Sequence, residues 1–172
     1  LHNQLHIIIR RSYLSIVFLW VVIKLTSIHN TMEKKKMCLA LYTGSVDKLT
    51  AAGVILSGAA AMDLQVEIYV LLMGARAFRK DVGDNPDKLQ MAENANMKTE
   101  FLESLKKLNV KTWVEFFKEA KSITDVKIHI CGLAGKVWGG EKLEDFIDLA
   151  DDICGIGAYI ASAQEADVNL FI

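Results

Sequence analysis

The residues best suited to chemistry are His129 and Cys131, two positions apart in a stretch where Val126, Ile128 and Ile130 alternate with Lys127, His129 and Cys131. Alternation at a period of two predicts a strand over 126–131 whose two reactive side chains share one face of a sheet. Gly132 follows directly, so the thiol is expected at the point where strand becomes loop, which is where open α/β sheets keep their reactive groups. A thiolate at that point would be a nucleophile. Lys136, five residues on, would favour the thiolate, and His129 would accept its proton. Trp138 would cover the site as an apolar lid, or else pack as an ordinary core or interface residue. The competing reading of Cys131 is a small apolar filler, since free cysteine is among the most buried residue types.

Three further places carry weaker signals. Cys154 precedes Gly155 at the expected start of the last helix, where the helix dipole would lower a thiol pKa; the alternative is a buried packing residue. The turn Thr43-Gly44-Ser45 lies between a strand and a helix, where exposed amides favour an anion. It lacks the glycine spacing of a nucleotide loop, so a plain helix cap is the stronger reading. Gly74, Arg76, Arg79 and Lys80 follow the second strand and would neutralise an anionic ligand at the same sheet edge, unless they form a solvated face. Cys38 falls inside the first strand and reads as structural. Cys38, His129, Cys131 and Cys154 are the soft ligands of the body of the chain and show no CxxC or HxxxH spacing, so neither a metal nor a cofactor is expected.

The elements that must position these groups follow from periodicity. Met37 to Tyr42 is a short apolar strand, and a helix from Val46 to Met62 places Leu49, Ala52, Ile55, Leu56, Ala59 and Ala60 on one side. A second strand, Val66 to Leu72, ends at Gly74. Its nearly continuous apolar run suits a strand covered on both faces. The polar stretch Lys80 to Asn96 reads as an insertion or lid, with Asn85 capping a short helix at Pro86, the only proline. Phe101, Leu102, Leu105 and Leu108 mark one helix, Trp113, Phe116, Phe117 and Ala120 another. A helix near Gly155 to Ala166 and a strand from Val168 to Ile172 close the chain. Strands separated by helices imply a single α/β domain, a doubly wound parallel sheet with helices on both faces.

At 172 residues there is room for one core of ordinary size. Residues 1–32 contain Arg10, Arg11 and Lys24 and no acid, which leaves the body mildly acidic and argues against a nucleic-acid binder. Three cysteines suit a reducing compartment rather than a disulfide framework. The apolar run Tyr13 to Ile23 is shorter than the roughly 20 residues that span a bilayer. Residues 1–31 are therefore read as an apolar extension: upstream sequence translated in frame, given Leu1 at the start and Met32 ahead of the domain, or a membrane-associating or signal segment. Residues 32–172 form the domain, and any membrane association would run through 1–31 alone.

The residues carry a resemblance to a known family. Tyr42-Thr43-Gly44-Ser45-Val46-Asp47-Lys48, with the helix through Gly58-Ala59-Ala60-Ala61-Met62, resembles the DsrE/DsrF-like superfamily in the DsrE-like branch labelled peroxiredoxin. The likeness continues through Met73-Gly74-Ala75-Arg76-Ala77-Phe78-Arg79-Lys80, Val126 to Cys131, and Ala166 to Ile172. It implies a self-associating parallel α/β domain in cytoplasmic sulfur transfer, carrying persulfide or thiosulfonate sulfur on a cysteine after an internal strand, here Cys131. Its partners would be TusA-like or rhodanese-like sulfur carriers and further copies of itself. Gly132 to Gly139 stands where relatives commonly have a Met-Ser-Met-Asp type of segment, so a hydroxyl and a carboxylate are missing beside the thiol. Two alternatives stand beside this one: a thiol peroxidase or reductase with Cys154 as resolving partner, and a non-catalytic assembly subunit.

Overall fold

A computed structural model describes residues 34–83 and 85–172. The readings made for residues 1–31 lie outside the described residues. Five strands, β1 (Lys36–Leu41), β2 (Gln65–Val70), β3 (Val126–Cys131), β4 (Asp152–Cys154) and β5 (Val168–Phe171), form one all-parallel sheet in the order β4-β3-β2-β1-β5. The helices are α1 (Val46–Ala61), α2 (Leu72–Ala77), α3 (Lys98–Lys107), α4 (Trp113–Ile123), α5 (Gly132–Val137) and α6 (Ile156–Glu165). This is the expected α/β class, a doubly wound parallel sheet.

The strand order dictates the layering. From β1 the chain steps outward through β2 and β3 to β4, then returns past β1 to β5. Right-handed crossovers put the helices of the outward steps on one face and the return helix on the other. Accordingly α1 and α4 pack together, with Gly53 against Phe116, while α6 lies against β1 on the opposite face. The two faces differ in chemistry. Met37, Leu39, Leu41, Val66, Ile68, Val70, Val126, Ile128 and Ile130 are all buried in one core with Leu49, Leu56 and Phe117. The other parity presents Cys38, Glu67, Tyr69, His129 and Cys131 on the opposite face, where α6 packs against β1 and buries only Ser162 of its own residues.

Local chemistry explains most boundaries. Thr112 and Glu115 form a reciprocal capping box at the start of α4, worth about 1 kcal/mol relative to alanine. The Asn85 side chain accepts from the Asp87 amide where Pro86 opens a short 3₁₀ turn, as the sequence predicts. Three boundaries differ from expectation. β2 stops at Val70 rather than Leu72, because Leu72 turns at φ +30° into α2, where Gly74 is an interior residue donating to Tyr42 O and Leu71 O. β3 passes directly into α5, without the expected loop. Cys154 lies in β4 rather than at the start of α6, which Gly155 caps. Among the described residues no helix is long and apolar enough to cross a membrane.

Candidate functional site

The site grows from the register of β3 and β4. Cys131 pairs with Cys154, and one step earlier on the same face His129 pairs with Asp152. Register partners in neighbouring parallel strands point the same way with backbones about 4.8 Å apart, so two thiols, an imidazole and a carboxylate form one patch at the sheet's carboxyl edge. His129 Nδ1 lies 2.7 Å from Asp152 Oδ1, while His129 Nε2 is buried without a partner. The imidazole of His129 also stacks on the ring of Tyr69, centroid to centroid 4.7 Å. Cys131 and Cys154 are free thiols, each half-buried.

Behind this patch the same sheet face carries a second polar group under α6. Tyr69 donates to Glu67 Oε2 at 2.7 Å, and Lys36 Nζ lies 3.2 Å from Glu67 Oε1. Ser162 places its hydroxyl among Cys38, Glu67 and Tyr69 without an aligned hydrogen bond. Burial opposes the Glu67 carboxylate, but the Ser162 and Tyr69 hydroxyls and the Lys36 ammonium outweigh it and hold its pKa below the ordinary value. Burial first, and then Glu67, pushes the Tyr69 phenol beyond its usual range. Burial likewise raises the thiol of Cys38, which is fully buried in β1 and structural as expected. Cys154 departs from expectation: burial first, then Asp152 and Cys131, raises its pKa, because it sits in a strand beside a carboxylate and not on a helix terminus.

The other residues singled out in the sequence are distributed differently. Lys136 is exposed in the last turn of α5, roughly 7 Å along the helix axis from Cys131. Trp138 is a clamp between helices: its Nε1 donates to Leu72 O at 2.9 Å, and Arg76 lies 5.3 Å above its ring, tying the end of α5 to α2. Arg79 is taken up structurally, donating to Gly139 O at 2.8 Å and pairing with Asp81, and the Lys80 amide bonds Asp145 O. Ser45 occupies the N-cap position of α1 without capping it. Its hydroxyl bonds Thr43 Oγ1 at 2.9 Å, and both residues are buried.

Thr43, Gly44, Ser45 and Arg76 instead line a cleft of about 720 Å³ with Tyr42 and Phe171. It opens where the chain reverses direction, between the carboxyl ends of β1 and β5, the usual ligand position in such sheets. Residues 88–92 form its far wall, fixed to α1 by Val46 N to Gln90 O and Ala92 N to Asp47 Oδ1. Within the stretch Lys80 to Asn96, expected as an insertion or lid, residues 88–92 are thus tied to α1 as a wall of the cleft. Cys131 does not line this cleft, so the residues grouped by sequence separate into a thiol patch and a cleft.

Asp152 is the residue that sequence reasoning missed. The signal was available: Asp152-x-Cys154 repeats the spacing of His129-x-Cys131. Among the described residues, the donor atoms of His129, Asp152 and Cys154 all lie within 4.8 Å of one another. The hydrogen bond between His129 and Asp152 engages one atom of each and leaves His129 Nε2 without a partner.

No family model matches the chain. It is 30% identical over 162 residues to the uncharacterized protein YrkE of Bacillus subtilis (strain 168), covering 83% of this chain and 99% of that protein. The chain belongs to the YrkE family. Because the match runs over nearly all of YrkE, the likeness to YrkE extends beyond any single motif.

Proposed function

We propose that this member of the YrkE family is a cytoplasmic sulfur-transfer protein of DsrE/DsrF-like type, holding persulfide or thiosulfonate sulfur on Cys131. The observation that carries the reading is the placement of Cys131, a half-buried free thiol at the carboxyl end of an internal strand, two residues beyond an imidazole engaged by a carboxylate. Such a half-buried thiol keeps enough exposure for a small sulfur donor to reach it. Its thiolate would take one sulfane sulfur from a polysulfide, leaving the donor one sulfur shorter. TusA-like or rhodanese-like carriers would pass sulfur to or from it. A second copy of the chain would cover Ile156 and Ile160, which α6 exposes. Intact-mass measurement after incubation with polysulfide, thiosulfate or tetrathionate tests the reading. A sulfur or thiosulfonate increment on the Cys131 peptide, absent in Cys131→Ser, is expected; equal uptake by that variant overturns it.

The register of Cys131 with Cys154 favours one second reading, a thiol peroxidase with Cys154 as resolving thiol. Turnover of hydrogen peroxide by the reduced protein separates the two.

A further inference from the structure

We propose that Cys154 discharges Cys131, converting a persulfide on Cys131 into free sulfide and a disulfide between the two residues. This rests on the reading that Cys131 carries sulfane sulfur, and it makes the protein a source of sulfide rather than only a carrier.

The geometry is that of a dithiol pair. Cys131 and Cys154 are backbone partners in the pairing of β3 with β4. The spacing of parallel neighbours, about 4.8 Å, falls within the usual Cα separation of disulfides, about 4.4–6.8 Å. β4 is an edge strand of three residues, paired on one side only, so its end can shift by the small amount a sulfur–sulfur bond requires. The third thiol, Cys38, is fully buried on β1, with β2 between it and β3. Beside the pair stands a base. The sulfur of Cys154, a carboxylate oxygen of Asp152 and an imidazole nitrogen of His129 lie within 4.8 Å of one another. Asp152 engages Nδ1 and leaves Nε2 buried and unpartnered, so Asp152 is a positioning residue and His129 has a nitrogen free to take a proton. Burial and the neighbouring Asp152 keep Cys154 a thiol in the resting protein, and a base is what such a thiol needs.

The step balances. His129 takes the Cys154 proton, and the Cys154 thiolate attacks Sγ of the Cys131 persulfide. The bond between Cys131 Sγ and the outer sulfur breaks, its electron pair leaves with the outer sulfur as HS⁻, and the new Cys131–Cys154 bond forms. The outer sulfur is reduced to sulfide, and the two cysteine sulfurs are oxidised to disulfide. A dithiol reductant restores the pair by exchange.

The experiment uses the full chain, reduced, desalted and treated with polysulfide. In wild type the sulfur increment on Cys131 should decay as sulfide appears in equal amount and a Cys131–Cys154 linked peptide accumulates. Cys154→Ser and Cys154→Ala should keep the increment on Cys131 and release no sulfide beyond the buffer control. His129→Gln should load but discharge about a hundredfold more slowly, and Cys38→Ala should behave as wild type. Diamide oxidation of unloaded wild type should give the same linked peptide, a result that depends on neither loading nor a variant. Sulfide release from folded Cys154 variants at the wild-type rate, migration of the increment to Cys154, or diamide linkage through Cys38 overturns the discharge step while leaving the carrier reading intact. Failure of Cys131 to load in the Cys154 variants as well as in wild type overturns both.

Discussion

His129 Nδ1 and Asp152 Oδ1 meet at 2.7 Å across the β3–β4 pair, one register step before the paired thiols. The bond fixes the ring plane, which also stacks on Tyr69, and it specifies which nitrogen carries hydrogen in the neutral ring. At pH 8, nitrogen-15 spectra of the imidazole should show the Nδ1–H tautomer in wild type and a shift toward Nε2–H in Asp152→Ala. The same spectrum in both proteins would mean that Asp152 does not position the ring.

Glu67 links the sheet face to pH. Its pKa is lowered in the fold, so the stability it contributes is present above the ordinary glutamate value and is lost as pH falls through the depressed folded value. Glu67→Gln should be less stable than wild type at neutral pH by thermal melting. The gap should close as pH drops through that acidic window. Lys36→Met, which removes the ammonium 3.2 Å from Glu67, should move the window upward toward the ordinary carboxylate range. A gap that stays constant with pH would show that Glu67 acts through packing alone.

The legible parts of the chain are those with enough residues to establish a period. β3 alternates over six residues and is read to its exact ends, and the aromatic spacing of α4 places that helix. β4 has three residues in an acidic stretch, too few for alternation to register, so the pattern points to Cys154 at the following helix, where a dipole would lower a thiol pKa that burial and Asp152 in fact raise. Leu71, Leu72 and Met73 continue the apolar run of β2, which hides the turn into α2 that Gly74 permits. By type alone Arg79 suits either an anionic ligand or a solvated face, and Trp138 either a lid or a packing residue. Their partners, Gly139 O and Leu72 O, are distant in sequence and backbone in nature, which no side-chain pattern reveals.

Gly44 and Gly58 make opposite predictions. A Cβ on Gly44 would lie far inside contact distance of Met73 O, where the turn after β1 crosses α2; one on Gly58 meets nothing within 4 Å. Gly44→Ala should cost roughly 1–3 kcal/mol in urea unfolding. Gly58→Ala, in the exposed interior of α1, should gain about 0.5–1 kcal/mol by reducing the freedom of the unfolded chain. Equal effects would mean that the turn relaxes freely around the added methyl.

Lys121 and Asp151 decide how firmly β4 holds its register. Lys121 Nζ bonds Asp151 Oδ2 at 2.6 Å and Leu149 O at 2.9 Å, and the same carboxylate oxygen accepts from Ile128 N at 2.8 Å. The carboxylate therefore satisfies a backbone donor at the strand as well as an ion pair, whereas the ammonium serves only the pair and a carbonyl. Both side chains keep about a quarter of their surface exposed (23% and 28%), so the ionic part alone is worth up to about 1 kcal/mol. Asp151→Ala also strands the Ile128 amide and should cost about 1–3 kcal/mol. Lys121→Met, which keeps the apolar stem, should cost less. Because Asp151 immediately precedes β4, its loss should also speed alkylation of Cys154 more than alkylation of Cys131. If the two variants are equally stable and Cys154 reacts no faster, the register of β4 is held by packing, and the thiol pairing does not depend on this ion pair.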